Sequence, residues 1–186
     1  MTPQLLRPEQ REKADPGDDA LFYADPRFVQ HLDAAFRRRL SELYRQRIPA
    51  GAVVLDLMSS WVSHLPEEVS YGEVIGHGLN DAELAANPRL DRHWRQNLNV
   101  DQKLPLADAS VDAALIVAFS NRMFASKAPR VWLEGSDREH LSYVAEVLTT
   151  HGWQLDAVVA EDTRAAGPQG WLGGRGDPFF AVIVQR

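Results

Sequence analysis

The stretch Val111–Phe119, VDAALIVAF, constrains the fold more than any other part of this sequence. It is nine residues long and almost wholly apolar. That is far too short to cross a membrane as a helix, and the absence of polar alternation fits a strand covered on both faces. Strands of that kind lie centrally in sheets packed between helices, so an α/β fold is expected with Val111–Phe119 near the middle.

The flanking segments supply the remaining elements. Residues 1–19, MTPQLLRPEQREKADPGDD, are rich in Pro, Asp, Glu and Arg, with few large apolar groups to offset ordering entropy. They read as a mobile N-terminal arm, leaving residues 20–186 as a single domain. Asp25-Pro26 reads as a helix start, and Phe28, Leu32, Phe36, Leu40 and Leu43 recur at helical spacing until Pro49-Ala50-Gly51. Ala52–Leu57 and Tyr71–His77 read as buried strands, and His93–Leu98 as a third. Asn80 opens a short helix that Asn87-Pro88 closes. Phe124–Leu133 reads as a helix, as does Ser136–Thr150, where Ser136 and Glu139 form a capping box and Gly152 follows the end. Trp153–Glu161 and Pro178–Gln185 should pair as a C-terminal antiparallel hairpin. The sum is a doubly wound mixed sheet of six strands with helices on both faces.

Several function classes are disfavoured by composition. The chain has no cysteine, which removes disulfides, thiolate metal sites and cysteine nucleophiles. Its six histidines show no metal-ligand spacing, so no metal is expected. A net charge of −6 gives no general attraction to nucleic acid, and Arg37-Arg38-Arg39 reads as a solvated helix face. No signal peptide or membrane span is legible, which leads to a cytoplasmic expectation. There is no G-x-S-x-G elbow, and GWLGGRGDP lacks the GK[ST] of a phosphate loop.

The segments LDLMSSWVSHLP, VIGHGLNDAEL, NPRLDRHWRQNLN, LPLADASVDAAL and VAFSNRMF, taken in order, resemble a bacterial and plant group of the class I S-adenosylmethionine-dependent methyltransferase superfamily. The resemblance implies a Rossmann-like fold, S-adenosylmethionine as cofactor and methyl transfer to an unknown small-molecule acceptor. It places the methionine part of the cofactor at Asp56, Leu57, Met58, Ser59, Ser60 and Trp61. The ribose falls at His77, Gly78, Leu79 and Asn80, and the adenine at Asn97, Leu98 and Asn99. In the superfamily the ribose position is acidic, whereas this chain has Gly78 there.

A second departure lies in VDAALIVAF, where the family's fourth and fifth strands run together without the crossover between them. About one strand–helix–strand unit is missing by this reading, and a homodimer could compensate. Methyl transfer makes few demands on side chains, so no catalytic residue is legible. His64 is a candidate base, Ser120–Phe124 a candidate acceptor contact and Trp61 a candidate stacking group. The alternative function is a non-catalytic protein that binds S-adenosylhomocysteine or a partner protein. A nicotinamide-dependent oxidoreductase is disfavoured by the absent G-x-G-x-x-G.

Overall fold

The computed structural model describes residues 5–111, 114–161 and 176–186. It divides into two compact units. One takes in Gly17–His31 and Arg37–Asp112, the other Met1–Pro16, Leu32–Phe36 and Ala113–Arg186, as far as these are described.

The first unit is built on a parallel sheet in the order β1 (Val53–Asp56), β2 (Glu73–Gly78), β3 (Arg92–Arg95). Its register pairs Asp56 with Gly76 and Gly78 with Arg95, so all three strands deliver their carboxyl ends to the same edge. The central strand β2 is the most buried of the three, and Ile75 is fully covered. Helix α3 (Asp81–Ala85) follows β2, and its start is set by Asn80, whose Oδ1 accepts from the Glu83 N–H at 3.1 Å. Buried Leu84 anchors the helix.

Two helices precede the sheet: α1 (Asp19–Phe22) and α2 (Ala34–Arg47). The helix expected from Asp25-Pro26 begins only at Ala34. Asp33 takes the capping role instead, with its Oδ1 accepting from the Phe36 N–H at 2.8 Å. From there Leu40 and Leu43 are buried at the expected spacing, whereas Phe28 and Val29 lie outside the helix and are half exposed.

The second unit holds β4 (Ala114–Phe119), β5 (Gln154–Glu161) and β6 (Phe179–Gln185), in the order β4-β6-β5 with both pairings antiparallel. Among the described residues the expected α/β class, six strands and antiparallel hairpin are present, with the strands in one parallel and one antiparallel sheet of three each. Val111–Phe119 is not the central strand expected, however. Its described strand begins at Ala114 and pairs with β6, not with β1, and its other edge has no strand partner among the described residues. The central place in this sheet belongs to β6, where every residue from Phe179 to Val184 is buried. An apolar run reports that side chains are covered, but it does not say which strands lie alongside.

Helix α5 (Asp137–Thr150) covers one face, with Leu141 and Leu148 packed on Phe180, Val182 and Val184. Its capping box is formed as the sequence implies: the Ser136 N–H donates to Glu139 Oε2 at 2.7 Å, and the Glu139 N–H returns to Ser136 Oγ at 3.4 Å. Gly152 past its end has φ +86°, a conformation that favours glycine. On the opposite face Phe179 meets Phe36, ring centroids 5.0 Å apart. Of the helix expected over Phe124–Leu133, only α4 (Arg130–Glu134) forms, because Pro129 cannot donate to a continuing helix.

The described residues 5–16 belong to this unit. The Asp15 N–H donates to the Ser126 carbonyl at 2.8 Å, the Arg130 N–H to the Glu12 carbonyl at 2.8 Å, and Lys127 Nζ pairs with Asp15 at 3.0 Å. Asp33 and Asp177 each accept the other's backbone N–H, at 2.8 and 2.7 Å. Truncating the fully buried Phe179 to Ala is expected to cost about 3–5 kcal/mol by removing the partner of Phe36 and leaving a cavity. The midpoint of chemical denaturation measures this; an unchanged midpoint would show that the ring does not anchor the unit.

Candidate functional site

The candidate residues of the first unit gather at the carboxyl ends of β1, β2 and β3, where parallel sheets expose backbone groups to ligands. After Asp56 the chain turns sharply through Met58, which has φ +55° and is 79% exposed. A non-glycine residue in that region is uncommon. The turn folds back on β2: the Ser59 N–H donates to the His77 carbonyl at 2.7 Å, and the Met58 N–H to His77 Nδ1 at 3.3 Å. With Nδ1 accepting, the His77 proton sits on Nε2 and points to the Gln96 carbonyl at 3.0 Å.

This return explains Gly78. A Cβ there would lie 2.5 Å from the Ser59 carbonyl oxygen, so an acidic side chain and this loop path are incompatible.

Asp56 stands at the centre of a polar cluster. Its Oδ2 accepts from Ser59 Oγ at 2.7 Å and Ser63 Oγ at 2.5 Å. Burial raises its carboxyl above the ordinary 3.8, opposed by those two hydroxyls and by His64. Burial lowers His64, Arg37 adds to the effect, and Asp56 opposes it. The imidazole is therefore uncharged at neutral pH, the form a base requires. Burial, with Asp56 and Tyr71 adding, raises the Tyr44 phenol.

Asn87 ties the loop together. Buried to 4% exposure, its Nδ2 reaches the Ser60 carbonyl at 2.9 Å, Ser63 Oγ at 3.0 Å and Ser59 Oγ at 3.4 Å.

Sequence reasoning missed Ser63, Glu83 and Asn87. Glu83 accepts from Ser60 Oγ through Oε2 and from the Arg27 N–H through Oε1, the latter at 2.7 Å. The signal lay in the four-residue spacing of Glu83 and Asn87, which sets both on one side of α3 and the turn that follows it.

Asn80, Asn97 and Asn99 are brought to the same edge, each engaged by the segment Gly17–His31. Asn80 Nδ2 donates to the Tyr23 and Ala24 carbonyls, both at 3.0 Å. Asn97 Nδ2 reaches Asp18 at 3.1 Å, and Asn99 Nδ2 reaches Asp19 at 2.9 Å. Trp61 Nε1 donates to the Val29 carbonyl at 3.2 Å, with its ring edge-on to Phe28. Leu57, Leu79 and Leu98 are half-buried and supply apolar surroundings.

Ser120–Phe124 belongs to the other unit, where Arg122 Nε binds buried Asp177 and Ser120 Oγ accepts from the Arg122 N–H at 3.0 Å. Residues 170–175 of GWLGGRGDP lie outside the described residues. A cavity of about 360 Å³ also lies in that unit, lined by Arg7, Gln10, Arg130 and Glu134 among others, and shares no residue with the candidate site. Among the described residues no cluster of metal-ligating side chains occurs, and no helix is long and apolar enough to cross a membrane.

No protein-family model matches the chain, and no curated protein matches it. Among solved structures it is similar to a TehB-like SAM-dependent methyltransferase from Corynebacterium glutamicum, at 14% identity over 86% of this chain and 90% of that one, with a TM-score of 0.44.

Two outcomes follow from the geometry. Gly78→Ala should lower stability by about 1–3 kcal/mol, because the Ser59 backbone has to move; a neutral result in thermal unfolding would contradict the loop path. For Asp56, a carboxyl raised on folding keeps its proton while the unfolded chain loses it, so stability falls as pH rises from 3.8 through the raised value. Asp56→Asn has no such proton to lose. Its stability relative to wild type should therefore increase from pH 4 to pH 8, as measured by denaturant midpoints at both.

Proposed function

We propose that this chain is an S-adenosylmethionine-dependent methyltransferase of the cytoplasm acting on a small-molecule acceptor. The observation that carries the reading is the convergence of Asp56–Trp61, His77–Asn80 and Asn97–Asn99 on one edge of a parallel sheet, beside an exposed left-handed turn at Met58. The donor set suits the cofactor. Asp56 offers a carboxylate toward an ammonium group, Ser59 and Ser60 offer hydroxyls, and Asn80, Asn97 and Asn99 offer amides for ribose hydroxyls and adenine edges. Bound there, the cofactor would supply an electrophilic methyl on sulfur, which an acceptor's lone pair takes as the carbon–sulfur bond breaks and its electrons return to sulfur.

The protein's part is to hold and orient. His64, whose charged form burial disfavours, is the candidate to receive a proton from an acceptor that must lose one. Gly78 excludes the usual ribose carboxylate, so the hydroxyls would rely on Asn80 and backbone groups. That same glycine favours a second reading, a non-catalytic protein that retains S-adenosylhomocysteine without turnover.

Calorimetric titration with S-adenosylmethionine and S-adenosylhomocysteine tests binding. Heat is expected with both, and Asp56→Ala should weaken binding about tenfold or more, consistent with loss of one charged contact. A folded sample that gives no heat with either compound rules out both readings.

A further inference from the structure

The segment Gly17–His31 lies across the strand ends and uses the polar groups that a ligand would need. It spans from Asp18 and Asp19 on Asn97 and Asn99, through Tyr23 and Ala24 on Asn80 and Arg27 on Glu83, to Val29 on Trp61. Both Asn80 Nδ2 hydrogens are occupied by its carbonyls, while Oδ1 is committed to capping α3. A ligand acceptor therefore has to replace the segment at Asn80.

The segment is poorly anchored by apolar burial. None of the four residues of α1 is buried, and Leu21, Phe28 and Val29 are all more than half exposed. Besides the edge-on contact of Phe28 with Trp61, attachment includes the hydrogen bonds above, which are individually weak because water or a ligand can substitute for either partner.

Glu83 connects this attachment to the β1 loop. One oxygen holds the Arg27 N–H of the segment and the other holds the Ser60 hydroxyl of the loop. We propose that Gly17–His31 is a built-in occupant of the candidate site, latched by Glu83 and displaced when a ligand takes the groups it holds. The ligand arm rests on the cofactor reading above; the latch does not.

Displacement makes a quantitative demand. If only a small fraction of molecules has the segment released, apparent affinity is reduced by that fraction, so loosening the latch strengthens binding. Glu83→Gln keeps the length of the side chain but replaces the charged acceptor of the Arg27 N–H by a neutral one, which weakens that bond even where the new NH2 group donates to Ser60 Oγ.

Amide hydrogen exchange on the full chain, read as peptides from 17–31 and 73–78, measures the latch without ligand. Glu83→Gln should speed exchange in 17–31 by up to about tenfold, through the charge assistance lost at the Arg27 N–H, and leave 73–78 unchanged. Equal exchange in 17–31 for variant and wild type overturns the latch. Should Glu83→Gln not fold, Asn99→Ala removes a strand-end partner of the segment while leaving the Asp18 cap of α1 in place, and equal exchange in 17–31 then likewise overturns the attachment.

S-adenosylhomocysteine then serves as probe, with calorimetry on the same samples. Faster exchange in 17–31 on binding, together with tighter binding by Glu83→Gln, supports displacement. Slower or unchanged exchange on binding overturns it, since the segment would then close over the ligand or stand apart. No heat with wild type or variant rejects the cofactor reading, while loosening in the ligand-free comparison still supports the latch.

Discussion

The close approach of the Ser59 carbonyl to Gly78 is the contact on which the candidate site depends. Only a residue without Cβ lets the turn after β1 return onto β2. Once it does, the Ser59 N–H reaches His77, Ser59 and Ser63 reach Asp56, and Asn87 bonds to three serines of the loop. The glycine that nucleotide-binding folds often place in the loop has here moved to the strand that the loop meets. The physical requirement, backbone approaching backbone, is unchanged.

Local signals in the sequence specified local structure well. Asn80 and Ser136 cap the helices that follow them, Gly152 ends α5 with positive φ, and Trp153–Glu161 pairs with Pro178–Gln185. These features depend on a few neighbouring residues, so spacing suffices to find them. The start of α2 was misplaced because Asp25-Pro26 and Asp33 are both competent caps, and the choice between them is made by distant groups. Asp33 is held by Asp177, which is 144 residues away in sequence.

The candidate site was legible as a set of segments and not as a network. Asp56, Ser59 and Ser60 are marked by the family resemblance of the loop that follows the first strand. Their partners Ser63, Glu83 and Asn87 lie in a turn, in α3 and just after it, and taken singly nothing in their local sequence sets them apart from ordinary turn and helix residues. The engagement of Asn97 and Asn99 by Asp18 and Asp19 spans about eighty positions and has no local signature. Similarly, the length and apolarity of Val111–Phe119 marked it as a strand, while its neighbour was decided by pairing with β6.

That pairing order has a temporal consequence during synthesis. β6 separates β4 from β5, yet it follows both along the chain. Among the described residues the ladder partner of both earlier strands is Phe179–Gln185, so these two pairings form only after that segment has left the ribosome. Until then the side chains of Leu115, Val117 and Phe119 have only Trp132 and helix α5 to pack against, which makes non-local pairing the late step for this sheet.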